Sequence, residues 1–235
     1  MKLVFEFTKT GDMVYISHLD LGRLFLRALR MAGLRPVYSQ GFNPHPKMSI
    51  ALPLSLGVHS LCELMEFETD QTAGPAQAEA AVMRVNERLP EGIRVTYWRE
   101  KPVDVPKPLA SLVHAASYEF MCEGIWDAPE LLMEFFERKS VIISKTDKKT
   151  GAESEKEIRP LMLGYRIVKN MRGRLLAEAT LLSGPGQTLN PAAFFEAFCN
   201  ASGIEGRELF PVITRTAILG RDGKPLKELL EAEDF

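Results

Sequence analysis

The sequence lacks the short motifs that identify the common nucleotide-dependent and hydrolytic enzymes. It contains no G-x-x-x-x-G-K-[ST] phosphate loop, no dinucleotide-binding G-x-G-x-x-G, no G-x-S-x-G nucleophile turn and no Cys-x3-Cys-x2-Cys of an iron–sulfur cluster enzyme. No window approaches the roughly 18 uncharged apolar residues that an apolar membrane-spanning helix needs. No cofactor is therefore predicted, and we expect a cytoplasmic protein that crosses no membrane.

Cysteine is scarce, and its few copies are isolated from one another. The three residues are Cys62, Cys122 and Cys199, each in an apolar or helical stretch and none in a C-x-x-C pair. A disulfide framework or a structural zinc site would need closer or paired spacing. The pattern favours reduced thiols in the core of a cytosolic protein.

The net charge of −2 argues against a protein that binds nucleic acid over its whole surface. The charges are unevenly distributed, however. Residues 1–60 contain seven Lys or Arg against three acidic residues, whereas the rest of the chain is acidic. An excess of positive charge in one region of an acidic protein is typical of a local site for an anionic ligand.

Alternating and helical hydrophobic patterns predict the order β-α-β-β-α-β over residues 1–100, which is that of a ferredoxin-like unit. Residues 101–108 contain three prolines and predict a semi-rigid linker. The same element order then recurs over residues 109–222, with a long charged hairpin whose tip is Thr146–Glu155. An acidic tail is predicted at 223–235. The predicted fold is α+β, with two ferredoxin-like units in tandem, antiparallel sheets and helices on one face.

The helix that follows Ser17 is the feature most suggestive of a site. Ser17 is the predicted N-cap, because Asp20 stands three residues later where its carboxylate reaches the free amides. Arg23, Arg27 and Arg30 share the polar side of this helix, and no Glu or Asp occurs between residues 21 and 62. A solvated charged face is the simpler interpretation. The lack of acidic residues favours the other, in which the arginines have no local partners and bind an anion.

A loop rich in Gly and Pro follows this helix, after a short strand predicted at Arg35–Ser39. Its aromatic residues, Tyr38 and Phe42, are candidates for stacking on a base, although burial in the core is an equal alternative for Phe42. The predicted anion-binding or RNA-binding residues of the helix and the loop are Arg23, Arg27, Arg30, Tyr38, Ser39, Gly41, Asn43, His45 and Lys47.

Two histidines allow a catalytic alternative. His18 is predicted in the first turn of the helix and His45 in the loop, and such a pair is able to act as general acid and base in RNA backbone cleavage. Phosphate binding without reaction, or a packing role, explains the same residues. A metal site that combines these histidines with Asp20 or Cys62 matches no familiar ligand spacing, and no metal is predicted.

The segments Ile16–Asp20, Tyr38–Lys47 and Pro53–Val58 together resemble the radical-SAM-linked family of uncharacterised bacterial proteins. The resemblance is specific over residues 1 to about 70, and the later Glu157-Ile158-Arg159-Pro160 segment agrees with it. In that family the domain occurs alone or joined to the C-terminal side of a radical SAM protein. The resemblance implies a companion role to a radical SAM enzyme in RNA-related or ribosome-related work, with no established activity and no catalytic residues.

Three functional hypotheses follow from these observations. The first is an RNA-binding or substrate-presenting accessory module that works with a separate radical SAM enzyme. The second is an RNA endonuclease or modifying enzyme that uses His18 and His45. The third is a protein adaptor that docks the radical SAM enzyme without RNA. The sequence does not predict an oligomeric state.

Overall fold

The structure is a computed structural model that describes residues 1–70, 75–101, 105–123, 128–146, 151, 153–171, 174–204 and 209–231. In chain order the elements are β1 (Lys2–Lys9), α1 (His18–Met31), β2 (Met48–Ile50), β3 (His59–Glu68), α2 (Pro75–Asn86), β4 (Ile93–Glu100), α3 (Leu109–Leu112), β5 (Ala115–Glu123), α4 (Ala128–Glu137), β6 (Ile142–Thr146), β7 (Glu153–Glu157), β8 (Met162–Met171), β9 (Arg174–Gly184), β10 (Gln187–Thr188), α5 (Pro191–Ala201), β11 (Val212–Leu219) and α6 (Leu226–Glu231). Short 3-10 helices occur at Gly11–Tyr15 and Arg159–Leu161.

The chain forms two compact units. The first consists of residues 1–113 with 217–235, and the second of residues 114–216. The boundary at which the chain returns from the second unit to the first, between Thr216 and Ala217, lies within β11. This division lies near the predicted start of a second domain at residue 109, whereas the C-terminal residues group with the first unit. The predicted bounds 1–100, 101–108, 109–222 and 223–235 stay predictions.

In the first unit β1 is a central strand. It pairs with β3 on one side and with β4 on the other, and β2 pairs with β3, all antiparallel. Its apolar residues Phe5 and Phe7 have no exposed surface, and the Phe7 ring centroid lies 4.6 Å from that of Phe25 on α1. Burying such a side chain contributes about 1.5–3 kcal/mol. The amphipathic stripe of α1 is thus held against the sheet.

The opposite face of this sheet is also covered. Side chains alternate along a strand, so Glu6 points away from Phe5 and Phe7. Its carboxylate accepts from Lys227 of α6 at 2.9 Å, and Glu66 on β3 accepts the backbone N–H of Leu109 in α3 at 2.9 Å. The prediction of helices on one face is therefore wrong for this unit. The cause is that β1 is buried on both faces, as its nearly continuous burial indicates.

In the second unit β9 pairs with β5, β8 and β10, all antiparallel, and β11 follows β5 in strand order. Strands β6 and β7 form a separate two-stranded sheet. Helices α4 and α5 meet through aromatic side chains, with the Phe135 ring centroid 5.7 Å from those of Phe194 and Phe198. The chain is a mixed α+β protein with mostly antiparallel sheets and helices.

One local prediction is confirmed in the second unit, and another is wrong in the first. Asn190 caps α5 by accepting from Ala192 N at 2.8 Å, with Pro191 in the first helical position. The strand predicted at Arg35–Ser39 is wrong, because the segment forms only isolated bridges. Part of the predicted hairpin tip, residues 147–150 and 152, and part of the predicted linker, residues 102–104, lie outside the described residues.

Candidate functional site

Helix α1 begins as the sequence predicts. Ser17 has extended backbone angles, and its hydroxyl oxygen accepts the Asp20 N–H at 3.1 Å. The same hydroxyl donates to the Asp20 carboxylate at 2.7 Å. This bond, followed by the bond from Arg23, lowers the pKa of Asp20. The cap fixes the first turn, where His18 is the first helical residue and is exposed.

The three arginines of α1 differ in their surroundings. Arg23 forms an ion pair with Asp20, with 2.9 Å between Nη1 and Oδ1. The prediction that these arginines lack local partners is therefore wrong for Arg23, because residues three apart are neighbours on a helix. Arg27 is exposed and makes no hydrogen bond or ion pair within the described residues. It is an accessible cation.

Arg30 connects the helix to the loop that follows. Its guanidinium donates a hydrogen bond to the Tyr38 hydroxyl and lies over the Tyr38 ring, 5.6 Å from the centroid. A cation in this position is attracted to the negative face of the ring. The contact brings the last turn of α1 and the loop together, although the two residues are separated by eight positions in the chain.

Residues 37–47, which we call the Phe42 loop, have a short ladder at their base. Lys47 N donates to Val37 O at 2.8 Å, and Ser39 N donates to His45 O at 2.8 Å. The Ser39 hydroxyl oxygen in turn accepts the His45 N–H at 3.0 Å. These bonds fold residues 40–44 into a tip that projects into solvent, since all five are exposed.

The tip presents an aromatic ring without any packing partner. Phe42 is 109% exposed relative to its reference state. The alternative in which Phe42 belongs to the core is therefore wrong. Gly41 before it has φ of 125°, a backbone conformation that side chains disfavour, so a glycine is needed to make the turn. Asn43 follows in the same exposed tip.

Lys47 closes the loop and is partly neutralised. Its ammonium lies 2.8 Å from Glu68 Oε2, and Lys2 lies 3.5 Å from Glu68 Oε1. The hydrogen bond from Lys47 is the main cause of the lowered pKa of Glu68. Of the predicted cations, Arg23 and Lys47 thus have carboxylate partners, whereas Arg27 and Arg30 have none within the described part of the chain.

The two predicted histidines are both exposed, and neither imidazole makes a hydrogen bond within the residues described. No group of three or more His, Cys, Asp or Glu side chains among these residues is arranged to hold a metal ion. The cysteines are free thiols, and burial raises the pKa of Cys122, and that of Cys199 to about 11. Cys122 and Cys199 are buried as predicted, whereas Cys62 is only partly buried.

The sequence did not settle two features of this site. One is the Arg30–Tyr38 contact, and the other is the complete exposure of Phe42. A signal for the second existed, because a Phe between Gly41 and Asn43 in a loop interrupted by prolines belongs to no regular element. No local signal exists for the first, since its partners lie on different elements.

Comparisons with known proteins are sparse in functional information. A search of curated proteins gave no match. One solved structure, titled "Crystal Structure of a Cbf5-Nop10-Gar1 Complex", contains a similar chain with 9% identity and a TM-score of 0.47. The match covers 92% of this chain and 48% of the other, so this chain spans about half the length of that one.

Among the described residues no helix is both long enough and apolar enough to cross a bilayer. A family model described as "Uncharacterized protein conserved in bacteria (DUF2344)" matches residues 2–191, which is most of the sequence. The chain therefore belongs to this conserved bacterial family.

Proposed function

We propose that the protein is an RNA-binding or substrate-presenting accessory module. The observation that carries the proposal is the Phe42 loop, whose tip exposes an aromatic ring fully and whose residue Tyr38 contacts Arg30 on the helix that also carries the exposed cation Arg27. Single-stranded nucleic acids are bound by this combination, since bases stack on aromatic rings and phosphates are attracted by basic side chains. Exposing a Phe at a loop tip contributes nothing to the core.

The loop is also held in a defined position. The Arg30–Tyr38 contact ties it to the end of α1, and the bonds of Ser39 with His45 tie its two arms together. A fixed loop loses less conformational entropy when it binds a ligand than a disordered one does. This supports a binding surface rather than a connection between α1 and β2 alone.

We propose further that the partner is a separate radical SAM enzyme. This part rests on the resemblance of the segments Ile16–Asp20, Tyr38–Lys47 and Pro53–Val58 to the radical-SAM-linked family. Two of these segments contribute to the site, as the capped start of α1 and as the loop. Recovery of such an enzyme with the protein, lost after ribonuclease treatment, would support RNA-mediated presentation. Recovery that survives ribonuclease would favour the adaptor hypothesis instead.

The proposed architecture consists of two ferredoxin-like units. In the first unit the strands follow one another along the chain in a β-α-β-β-α-β order and lie side by side in the order β2-β3-β1-β4, all antiparallel. This arrangement supports a ferredoxin-like unit. In the second unit the order β8-β9-β5-β11 has the same form, with the β6–β7 hairpin inserted after α4. A fold of this kind hosts many functions, so the functional proposal depends on the loop.

Salt dependence of RNA binding tests the proposal. The probe is a fluorescein-labelled single-stranded polyuridine, and its affinity for the full chain is measured by fluorescence anisotropy over a range of salt concentrations. Each phosphate neutralised adds about 0.7 to the slope of log affinity against log salt. The double variant Arg27→Ala/Arg30→Ala should therefore bind more weakly and lower the slope by about 1.4.

The matched control is Arg88→Ala/Arg94→Ala. Both arginines are exposed in the first unit and belong to neither α1 nor the loop, and their guanidinium groups make no hydrogen bond or ion pair within the described residues. This variant should keep the slope of the unmodified protein. An affinity that does not change with salt, or equal losses in the two double variants, would refute the proposal.

The endonuclease hypothesis stays a prediction without a structural observation in its favour. His18 and His45 are exposed, and no hydrogen bond orients either ring within the part of the chain described. If the enzyme hypothesis holds, His45→Ala will abolish RNA cleavage while RNA binding is retained. Loss of both together would not favour it.

A further inference from the structure

A cavity of about 310 Å³ opens in the first unit at the base of the Phe42 loop. Its wall includes Lys2 of β1, Glu66 and Glu68 of β3, Lys47 of the loop, and Pro106. Lys2 stands opposite Glu68 in the strand pairing, so the two side chains share one face of the sheet. The volume is at the lower end of the range for small-molecule sites, which is about 300–1,000 Å³. It suits one compact group.

The inner part of this cavity is electrically balanced. Lys101, whose side chain is 3% exposed, lies 2.5 Å from Glu66 Oε2 and also donates to Lys107 O at 2.7 Å. The other oxygen of Glu66 accepts the Leu109 N–H at 2.9 Å. A buried carboxylate and a buried ammonium that are paired and hydrogen-bonded in this way leave no charge for a ligand to neutralise.

Among the described residues that line it, the outer rim has two cations, Lys2 and Lys47, and one anion, Glu68. Glu68 lies between two ammonium groups, 2.8 Å from Lys47 and 3.5 Å from Lys2. The lysine side chains are 44% and 51% exposed, whereas that of Glu68 is 28% exposed. Two cations share one carboxylate, whose pKa is lowered by the Lys47 hydrogen bond and which therefore stays ionised at neutral pH. The rim attracts an anion.

The cavity and the Phe42 loop share residues. Pro46 and Lys47 line the cavity, and the same two residues pair with Tyr38 and Val37 at the base of the loop. A ligand that reaches from the loop into the cavity therefore passes along one continuous stretch of the first unit. The limited volume admits the end of a chain and excludes a run of nucleotides.

We propose that this cavity binds the 5′-terminal phosphate of a single-stranded RNA, with Lys2 and Lys47 as the phosphate-binding residues. The proposal rests on the proposed function, because the following nucleotides would contact the Phe42 loop. Lysine binds phosphate as a point charge and needs no fixed geometry. The apolar side chains of Met48 and the prolines of the wall face the terminal ribose and base. Glu68 weakens this site, since it competes with the phosphate for both lysines.

The test compares two polyuridine oligonucleotides of equal length, labelled at the 3′ end, one with a 5′-phosphate and one with a 5′-hydroxyl. Binding to the full chain is measured by fluorescence anisotropy. The phosphorylated RNA should bind about threefold more tightly, the effect of one partly exposed ion pair. Lys2→Ala should reduce this preference without changing the affinity for the 5′-hydroxyl RNA, because Lys47 remains. Glu68→Gln should increase the preference.

The opposite signs of these two variants separate phosphate binding from a structural role, because loss of the Lys2–Glu68 ion pair alone would affect both in the same direction. Lys224→Ala, at another exposed lysine of the first unit, is the control and should leave the preference unchanged. Equal binding of both RNAs by the unmodified protein overturns this inference and leaves the proposed function intact. Binding of neither RNA overturns both.

Discussion

The Phe42 loop and the β6–β7 hairpin are both exposed projections, and they use their polar side chains in different ways. In the hairpin, Glu157 accepts hydrogen bonds from the Val141 N–H at 2.8 Å, from the Arg159 N–H at 2.9 Å and from the Ser140 hydroxyl. Lys156 donates to Thr188 O at 2.9 Å. These charged groups fasten the hairpin to its own unit.

The Phe42 loop is fastened mainly by uncharged groups. Backbone hydrogen bonds and the Ser39 hydroxyl join its arms, Arg30 donates to the Tyr38 hydroxyl, and Lys47 pairs with Glu68 at the base. The aromatic ring at the tip and the exposed cation Arg27 of α1 make no such contacts within the described residues. The comparison teaches that exposure alone does not mark a binding surface. What distinguishes the loop is that Phe42, the aromatic residue at its exposed tip, is not needed to hold it in place.

Replacing the exposed apolar residue of each projection tests this difference with the largest expected effect. Phe42→Ala should weaken binding of single-stranded polyuridine about 5-fold to 150-fold, the loss of one stacked base at about 1–3 kcal/mol. Because Phe42 packs against nothing, the free energy of unfolding should change by less than about 0.5 kcal/mol. Fluorescence anisotropy and urea denaturation measure the two quantities.

The matched control is Ile142→Ala in β6, where the side chain is 57% exposed. This variant should leave RNA affinity unchanged, because the charged hairpin is not expected to bind RNA. If Phe42→Ala and Ile142→Ala reduce the affinity equally, the distinction between the two projections is lost. If Phe42→Ala destabilises the fold, the ring has a packing role that its exposure does not indicate.

Removal of one hydroxyl group tests how the loop is held. Tyr38→Phe keeps the ring beneath Arg30 and removes the hydrogen-bond acceptor. An exposed hydrogen bond contributes about 0.5 kcal/mol, so RNA affinity should fall about twofold as the loop becomes less ordered. Tyr165→Phe is the control, because the Tyr165 hydroxyl makes no hydrogen bond within the described residues. A Tyr38→Phe variant with tighter binding would show that the anchor opposes binding.

The sequence predicted those features that depend on neighbours along the chain. Ser17 and Asn190 cap their helices as expected, because capping involves residues two or three positions away. The pairing of Arg23 with Asp20 has the same short range, since the two residues are three positions apart, although no local partner is predicted for this arginine. For these features the information was local and complete.

Features that depend on contacts between distant residues were not predictable in this way. Lys227 and Glu6 are 221 positions apart, yet their ion pair helps to place α6 on the face of the sheet opposite α1. The hydrophobic pattern of β1 does not predict that α6 packs on this face, because β1 is buried on both faces. The sequence indicated only that Phe42 belongs to no regular element, and its complete exposure depends in addition on where the arms of the loop meet.

The smallest expected effect is a response of the hairpin to pH that the loop does not share. Hydrogen bonds from Ser140 and from the Arg159 and Val141 amides hold the pKa of Glu157 below its ordinary value of 4.5. A lowered pKa in the folded state contributes stability above pH 4.5 that is lost as the pH falls through the folded pKa. The Val141 and Arg159 amides should therefore lose protection from hydrogen exchange, measured by NMR, below about pH 4.5. The Ser39 and His45 amides of the loop should keep their protection, because their acceptors do not titrate in this range.

Glu157→Gln, which keeps an acceptor without a titrating group, should remove the pH response. A response that persists in this variant would assign the fastening of the hairpin to another group and weaken the contrast with the loop.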